Sequence, residues 1–114
     1  MSTPWKKICE INDIPILGAR VFQRPQGANI AIFRTTQDKV FAILDKCPHK
    51  GGPLSQGIVF GDKVACPLHN WNIELHKGCA TAPDVGCSQT FQVQLEHGHV
   101  FLNSEEIQTL AIES

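Results

Sequence analysis

Two short cysteine–histidine motifs constrain this chain more than any other feature of its sequence. The first reads Cys-Pro-His and begins at Cys47, and the second reads Cys-Pro-Leu-His and begins at Cys66. Sixteen residues separate His49 from Cys66. Two thiolates and two imidazoles form a set of four donors that suits a metal centre. We therefore interpret the rest of the chain as a scaffold that presents two ligand-bearing loops.

Length and charge limit the number of domains and the kinds of partner that the chain can have. The 114 residues are enough for one domain with a modest core, and we expect residues 1–114 to form it. The formal net charge is −1, and the Lys and Arg residues are scattered, which indicates neither nucleic-acid nor membrane binding. The first residues lack the apolar stretch of a signal peptide. We therefore expect a cytoplasmic protein in which the five cysteines are ligands and free thiols.

Short β-rich runs recur about every ten residues along the chain, and no long amphipathic helix interrupts them. This pattern predicts an all-β fold made of short antiparallel hairpins. The residues after 102 are predicted to form a tail with one short helix, opened by Ser104. The predicted strands cover residues 5–9, 19–23, 29–34, 40–44, 58–60, 63–65, 71–75, 91–95 and 100–102, and residues 79–88 are expected to form a linker.

The segment 45–76 differs from the rest, because glycine and proline are frequent there and favour shaped loops. In an extended Cys-x-His, the two side chains point to the same side, since side chains alternate along a strand. Cys66 and His69 converge across a tight turn. We expect each of the two motifs to lie at the tip of a hairpin. A zinc site with these four ligands is chemically possible, although common zinc spacings place two cysteines in one half and two histidines in the other.

The pattern C-x-H…C-x-x-H resembles that of the Rieske iron–sulfur proteins, whose [2Fe–2S] cluster is held by two cysteines and two histidines. The resemblance implies a Rieske-type antiparallel β-sandwich with a cluster-binding subdomain made of two loops. It also implies that Cys47 and Cys66 bind one iron, while His49 and His69 bind the outer iron close to the surface.

Three positions differ from the high-potential members of that family. Those proteins carry a disulfide between the two cluster loops, and Gly52 and Leu68 stand at the matching positions here. They also place a serine hydroxyl where this chain has Trp71, which we expect to be a packing residue. Fewer hydrogen bonds to the sulfurs favour the oxidised cluster, so we predict a potential near the low end of the Rieske range, about −150 mV.

The residues around the motifs sharpen the resemblance. Residues 47–57 and 82–87, the latter reading Ala-Pro-Asp-Val-Gly-Cys, are similar to the small subunit of bacterial assimilatory NAD(P)H nitrite reductase. This resemblance implies an electron-transfer subunit without a substrate site of its own. The implied partner is a large subunit that carries FAD, a [4Fe–4S] cluster and sirohaem and reduces nitrite to ammonium.

Two other functions remain open at this point. One is a free-standing Rieske ferredoxin that serves an aromatic-ring dioxygenase, and the other is a zinc-stabilised interaction module. The remaining cysteines, Cys9, Cys79 and Cys87, are expected to be small buried hydrophobes. A Cys79–Cys87 disulfide is possible, but a cytosolic location argues against it. The histidines outside the motifs are expected to be solvated residues of turns: His76, His97 and His99.

Overall fold

The structure is a computed structural model that describes residues 5–23, 29–47, 53–67, 71–81 and 85–108. Short strands dominate these residues, and all the strand pairs are antiparallel. Single 3₁₀ turns lie at Ile11–Asp13 and Leu54–Gln56, and the helix α1 covers Ser104–Gln108. The strands are β1 (Trp5–Glu10), β2 (Gly18–Phe22), β3 (Ile30–Arg34), β4 (Val40–Leu44), β5 (Ile58–Phe60), β6 (Lys63–Ala65), β7 (Asn72–Glu74), β8 (Cys79–Ala80), β9 (Thr90–Phe91), β10 (Val93–Glu96) and β11 (His99–Asn103).

The strands form three sheets. The first sheet has the order β1-β11-β10, the second has the order β2-β3-β4-β9, and the third has the order β5-β6-β7-β8. The predicted hairpins β3–β4, β5–β6 and β10–β11 are all present. The fold is therefore the all-β, antiparallel architecture that the sequence predicts, with the third sheet containing the strands that lead into and out of the second motif.

Two cores lie on opposite faces of the β3–β4 hairpin. Ile30, Ala31, Ile32 and Phe33 are all fully buried, which explains why this run is apolar without alternation. The first core lies between the first and second sheets and contains Cys9, Ile14, Ile30, Ile32, Ala42, Leu44, Phe91, Val100 and Leu102. The second core lies between the second and third sheets and contains Ala31, Phe33, Ile43, Cys47, Leu54, Val59, Val64, Cys66, Ile73 and Leu75.

The predicted strand 91–95 is divided between two sheets. Phe91 pairs with Ala42 in the second sheet, whereas Val93 pairs with Leu102 in the first sheet. The chain therefore crosses between sheets at Gln92, although Phe91 and Val93 both pack on the first core. Farther along β10, Leu95 is 42% exposed.

Two further expectations are wrong. The segment 79–88 is not merely a linker, because β8 pairs with β7 and Cys79 forms an antiparallel bridge with Cys87. His99 does not lie in a turn: it is the first residue of β11, and its Nδ1 is buried without a hydrogen-bond partner among the described residues. His76 and His97 are exposed in turns, as predicted. No helix within the described parts of the chain is long and apolar enough to cross a membrane.

Candidate metal centre

Cys47 lies at the point where the chain leaves β4. The backbone N–H of Asp45 donates to the carbonyl of Asn29 (2.8 Å), and that of Lys46 donates to the carbonyl of Leu44 (2.7 Å). The first bond continues the β3–β4 pairing by one residue pair, and the second closes a tight turn. Cys47 then enters the second core with 2% of its surface exposed. Contrary to the prediction of a hairpin tip, its loop does not connect a hairpin, because β4 pairs with β3 and β9 and not with β5.

A carboxylate closes this first loop. Asp45 Oδ1 accepts a hydrogen bond from the backbone N–H of Ser55, and Oδ2 accepts one from the Ser55 hydroxyl, both at 2.7 Å. The two residues stand on either side of the segment that contains Cys47, and both are half-buried. Hydrogen bonds to a charged acceptor are stronger than neutral ones, so this pair holds the ends of the loop together.

Cys66 follows β6 and begins the loop of the β6–β7 hairpin, in agreement with the predicted hairpin tip. Ala65 pairs with Asn72, and the N–H of Cys66 donates to the carbonyl of Trp71 (2.7 Å). Cys66 is 1% exposed. The side chain of Trp71 packs against the second core, which confirms the packing role expected of it.

The two motif cysteines share one apolar environment. Both belong to the second core, both are buried, and neither takes part in a disulfide. Ionised thiols without compensation would be costly there, whereas thiolates bound to iron have their charge offset by the metal. The cysteine half of the donor set therefore fits a buried iron–sulfur centre.

The histidine half of the donor set lies outside the described residues. This applies to His49 and His69, and also to Gly52 and Leu68, whose positions distinguish the high-potential proteins. Among the residues that the structure does describe, no group of three or more His, Cys, Asp or Glu side chains is arranged to hold a metal ion. The assignment of the four ligands stays a prediction.

A strap of residues 85–88 connects the backbone just before Cys47 to the β7–β8 hairpin. The Ser88 hydroxyl donates to the carbonyl of Lys46 (2.8 Å) and lies 3.3 Å from that of Leu44, just before Cys47. The Ser88 N–H donates to the carbonyl of Gly78 (2.6 Å) at the end of the β7–β8 turn. Gly78 has a φ of +73°, and a Cβ there would collide with the Ser88 carbonyl, so glycine is required.

A disulfide joins Cys87 of this strap to Cys79 of β8. The expectation that both are buried thiols is therefore wrong, whereas Cys9 is a buried thiol in the first core, as predicted. The physical reason is strand pairing: the two cysteines face each other across an antiparallel bridge, with their Cα atoms 3.9 Å apart. Spacing along the sequence alone carries no information about such a bridge.

Asp45, Ser55 and Ser88 also shape the site, although no prediction from the sequence singled them out. An Asp two residues before the first ligand and a Ser shortly after the Gly-Pro segment are signals of a closed loop, because these side chains bond nearby backbone groups. Ser88 gave no local signal, since it lies more than forty residues from its acceptors.

Comparison with known proteins identifies this architecture. A family model described as Rieske [2Fe-2S] domain matches residues 4–107. The chain belongs to the Rieske [2Fe-2S] domain family. Its cofactor is accordingly a [2Fe–2S] cluster, which supplies one-electron chemistry, and this Rieske protein functions in electron transfer. Family membership favours iron–sulfur chemistry over the zinc-stabilised module.

Three known proteins are similar to this Rieske protein over most of its length. Ferredoxin CarAc of Metapseudomonas resinovorans is 29% identical over 107 residues, covering 93% of this chain and 99% of the relative. A chain in the solved complex of reduced oxygenase and oxidized ferredoxin in carbazole 1,9a-dioxygenase is 26% identical, with a TM-score of 0.77 and coverage of 90% and 94%. A structure assigned as an NADPH nitrite reductase small subunit is 24% identical, with a TM-score of 0.75 and coverage of 86% and 96%, and shows the same fold.

Proposed function

We propose that this chain is the electron-transferring small subunit of a cytoplasmic NAD(P)H nitrite reductase, which reduces nitrite to ammonium. It acts as a single domain whose partner, the large subunit, carries FAD, a [4Fe–4S] cluster and sirohaem. One observation carries the proposal. The segment that gives the resemblance to nitrite reductase its specificity ends at Gly86 and Cys87, and these residues belong to the strap that joins β8 to the backbone just before Cys47.

In this proposal, Cys47 and Cys66 hold the iron that lies within the second core, and His49 and His69 hold the outer iron. The thiolate side is supported by the burial of both cysteines, at 2% and 1% exposed. The protein moves one electron at a time, and it binds no small-molecule substrate itself. The outer histidines form the side at which an electron passes to or from the large subunit.

Co-purification tests this function. The tagged chain is purified from its host grown with nitrate or nitrite as the nitrogen source, and bound partners are identified by their cofactor spectra. We expect a sirohaem- and flavin-containing protein to co-elute, and the complex to oxidise NAD(P)H in a nitrite-dependent reaction that forms ammonium. Recovery of the chain without any sirohaem protein would contradict the proposal.

A second candidate is a free-standing Rieske ferredoxin of an aromatic-ring dioxygenase. The similarity to ferredoxin CarAc over nearly the full length of both chains favours it. The purified chain is mixed with a flavin-dependent reductase and a ring-hydroxylating oxygenase, and NADH-dependent product formation is measured. Turnover in this mixture, together with no sirohaem partner from the host, would replace the nitrite reductase assignment with the ferredoxin one.

A further inference from the structure

The Cys79–Cys87 disulfide lies where an external thiol can reach it. Cys87 and Cys79 are both partly accessible to solvent, whereas the other three cysteines are buried. Residue 79 belongs to β8, which is an edge strand of the third sheet, so no further described strand covers the bond on that side. Among the five cysteines, these two are therefore the residues with the greatest exposure to a reagent in solution.

This disulfide lies between two sets of hydrogen bonds, one to the backbone after the Cys66 loop and the other to the backbone before Cys47. On one side, the N–H of Thr81 donates to the carbonyl of Asn72 (2.9 Å), which follows the loop of Cys66. On the other side, Ser88 bonds the backbone just before Cys47. The N–H of Ala80 also donates to the carbonyl of Gly86 (2.8 Å) across the strap. The bond thus fixes the strap to β8, and through β8 to β7.

We propose that Cys79–Cys87 is a thiol–disulfide exchange site whose reduction by a protein dithiol loosens the metal centre. The thiolate of the dithiol attacks Cys87 Sγ and forms a mixed disulfide, while Cys79 Sγ leaves with the bonding electrons and takes a proton. The second thiolate of the reductant then attacks the reductant's first sulfur in the mixed disulfide. Cys87 Sγ leaves with the bonding electrons and takes a proton. Overall, two electrons and two protons pass to the cysteine pair, and the dithiol becomes a disulfide.

The expected cytosolic location favours a redox-sensitive role for this disulfide. Disulfides in a reducing cytosol are usually transient, and they are catalytic or redox-sensing rather than permanent. When the bond opens, the strap loses its covalent link to β8. Among the described residues, its backbone hydrogen bonds and that of the Ser88 hydroxyl then remain to hold it. The proposal depends on the [2Fe–2S] cluster of the family, and it is independent of the enzyme that the chain serves.

The first test counts thiols in the folded holoprotein. The protein is incubated with a thioredoxin-type dithiol, quenched with acid, unfolded and alkylated, and its mass is measured. We expect three alkylated cysteines before reduction and all five after it, with a return to three on reoxidation. A count that stays at three until denaturant is added would identify a purely structural disulfide and overturn the proposal.

The second test measures retention of the cluster. Its decay in the presence of an iron chelator is followed by visible circular dichroism for the double variant Cys79→Ser/Cys87→Ser and for the matched variant Cys9→Ala. We expect the double variant to lose the cluster about fivefold faster than the wild-type protein with its disulfide intact. Cys9→Ala should lose the cluster at the wild-type rate. If the double variant fails to fold, dithiol-reduced wild-type protein takes its place. Equal decay rates for oxidised and reduced protein would overturn the coupling.

Discussion

Asp45 accepts two hydrogen bonds from a single residue, Ser55, and so joins the two ends of the loop that carries Cys47. Asp45→Ala removes both bonds and leaves the Ser55 N–H without this acceptor. We expect it to lower the free energy of unfolding by about 2 kcal/mol, measured by urea titration. Ser55→Ala removes only the hydroxyl bond and should cost about half as much.

Asp62→Ala is the matched control for the Asp45 variant. Asp62 pairs with Lys39 at 3.6 Å, and both side chains are about half exposed. An exposed pair of this kind contributes about 0–1 kcal/mol. Equal losses in Asp45→Ala and Asp62→Ala would show that the contact with Ser55 does not stabilise the loop.

The ligand assignment predicts the behaviour of Cys66→Ser and His69→Cys. Each variant should lose the visible absorption and EPR signature of a Rieske cluster, because each removes one of the four proposed ligands. Cys9→Ala serves as the control, since Cys9 lies in the first core, away from both motif cysteines. An unchanged spectrum in either ligand variant would show that the residue does not bind the cluster.

Substitution of two glycines with positive φ distinguishes the cost of backbone strain from the cost of a steric clash. Gly98 has a φ of +79° and open space where a Cβ would stand, whereas at Gly78 the Cβ would meet the Ser88 carbonyl. We expect Gly98→Ala to cost about 1 kcal/mol, the strain of the left-handed conformation. Gly78→Ala should cost at least about twice as much, because the strap must also move. Thermal unfolding of the two variants measures the difference, and similar melting temperatures would argue against a tight contact with the strap.

Because the Cys9 thiol is buried, we expect the free energy of unfolding to fall in alkaline solution. Burial raises its pKa above the ordinary value, with Arg20 acting in the opposite direction and Asp13 adding to the rise. The thiol of the unfolded chain ionises at about pH 8.5, so above this pH the unfolded chain releases a proton that the folded protein retains. Stability therefore falls as the pH rises from there to the folded pKa. Urea titrations between about pH 7 and 10 should show a flatter decline for Cys9→Ala, and identical slopes would refute the effect.

Local patterns in the sequence were sufficient for the hairpins. The Gly61-Asp62 turn separates the runs Ile58–Phe60 and Lys63–Ala65, and both form as predicted. These elements depend on residues close in sequence, and the same holds for the hairpin loop that Cys66 begins. The motif spacing was likewise sufficient to identify the family, because the four donors and their distances along the chain are specific.

The strap could not be predicted, because it depends on contacts between distant segments. Cys87 meets Cys79 only because the chain returns alongside β8, and Ser88 meets Leu44 only because β4 ends beside it. The same reason explains the division of residues 91–95 between two sheets. Alternation of apolar residues records which side of the chain is covered, but it does not record which sheet covers it.

The position of the β3–β4 hairpin between the two cores has a consequence for cooperativity. Since Ile32 belongs to the first core and Phe33 to the second, one hairpin contributes to both, and we expect the two cores to unfold together. Trp5 lies in β1 of the first sheet, and Trp71 packs against the second core, so the two tryptophans report on opposite sides of this hairpin. Two variants, each of which retains one of the two tryptophans, should show the same unfolding midpoint in denaturant. On heating, loss of the cluster should coincide with unfolding of the whole domain.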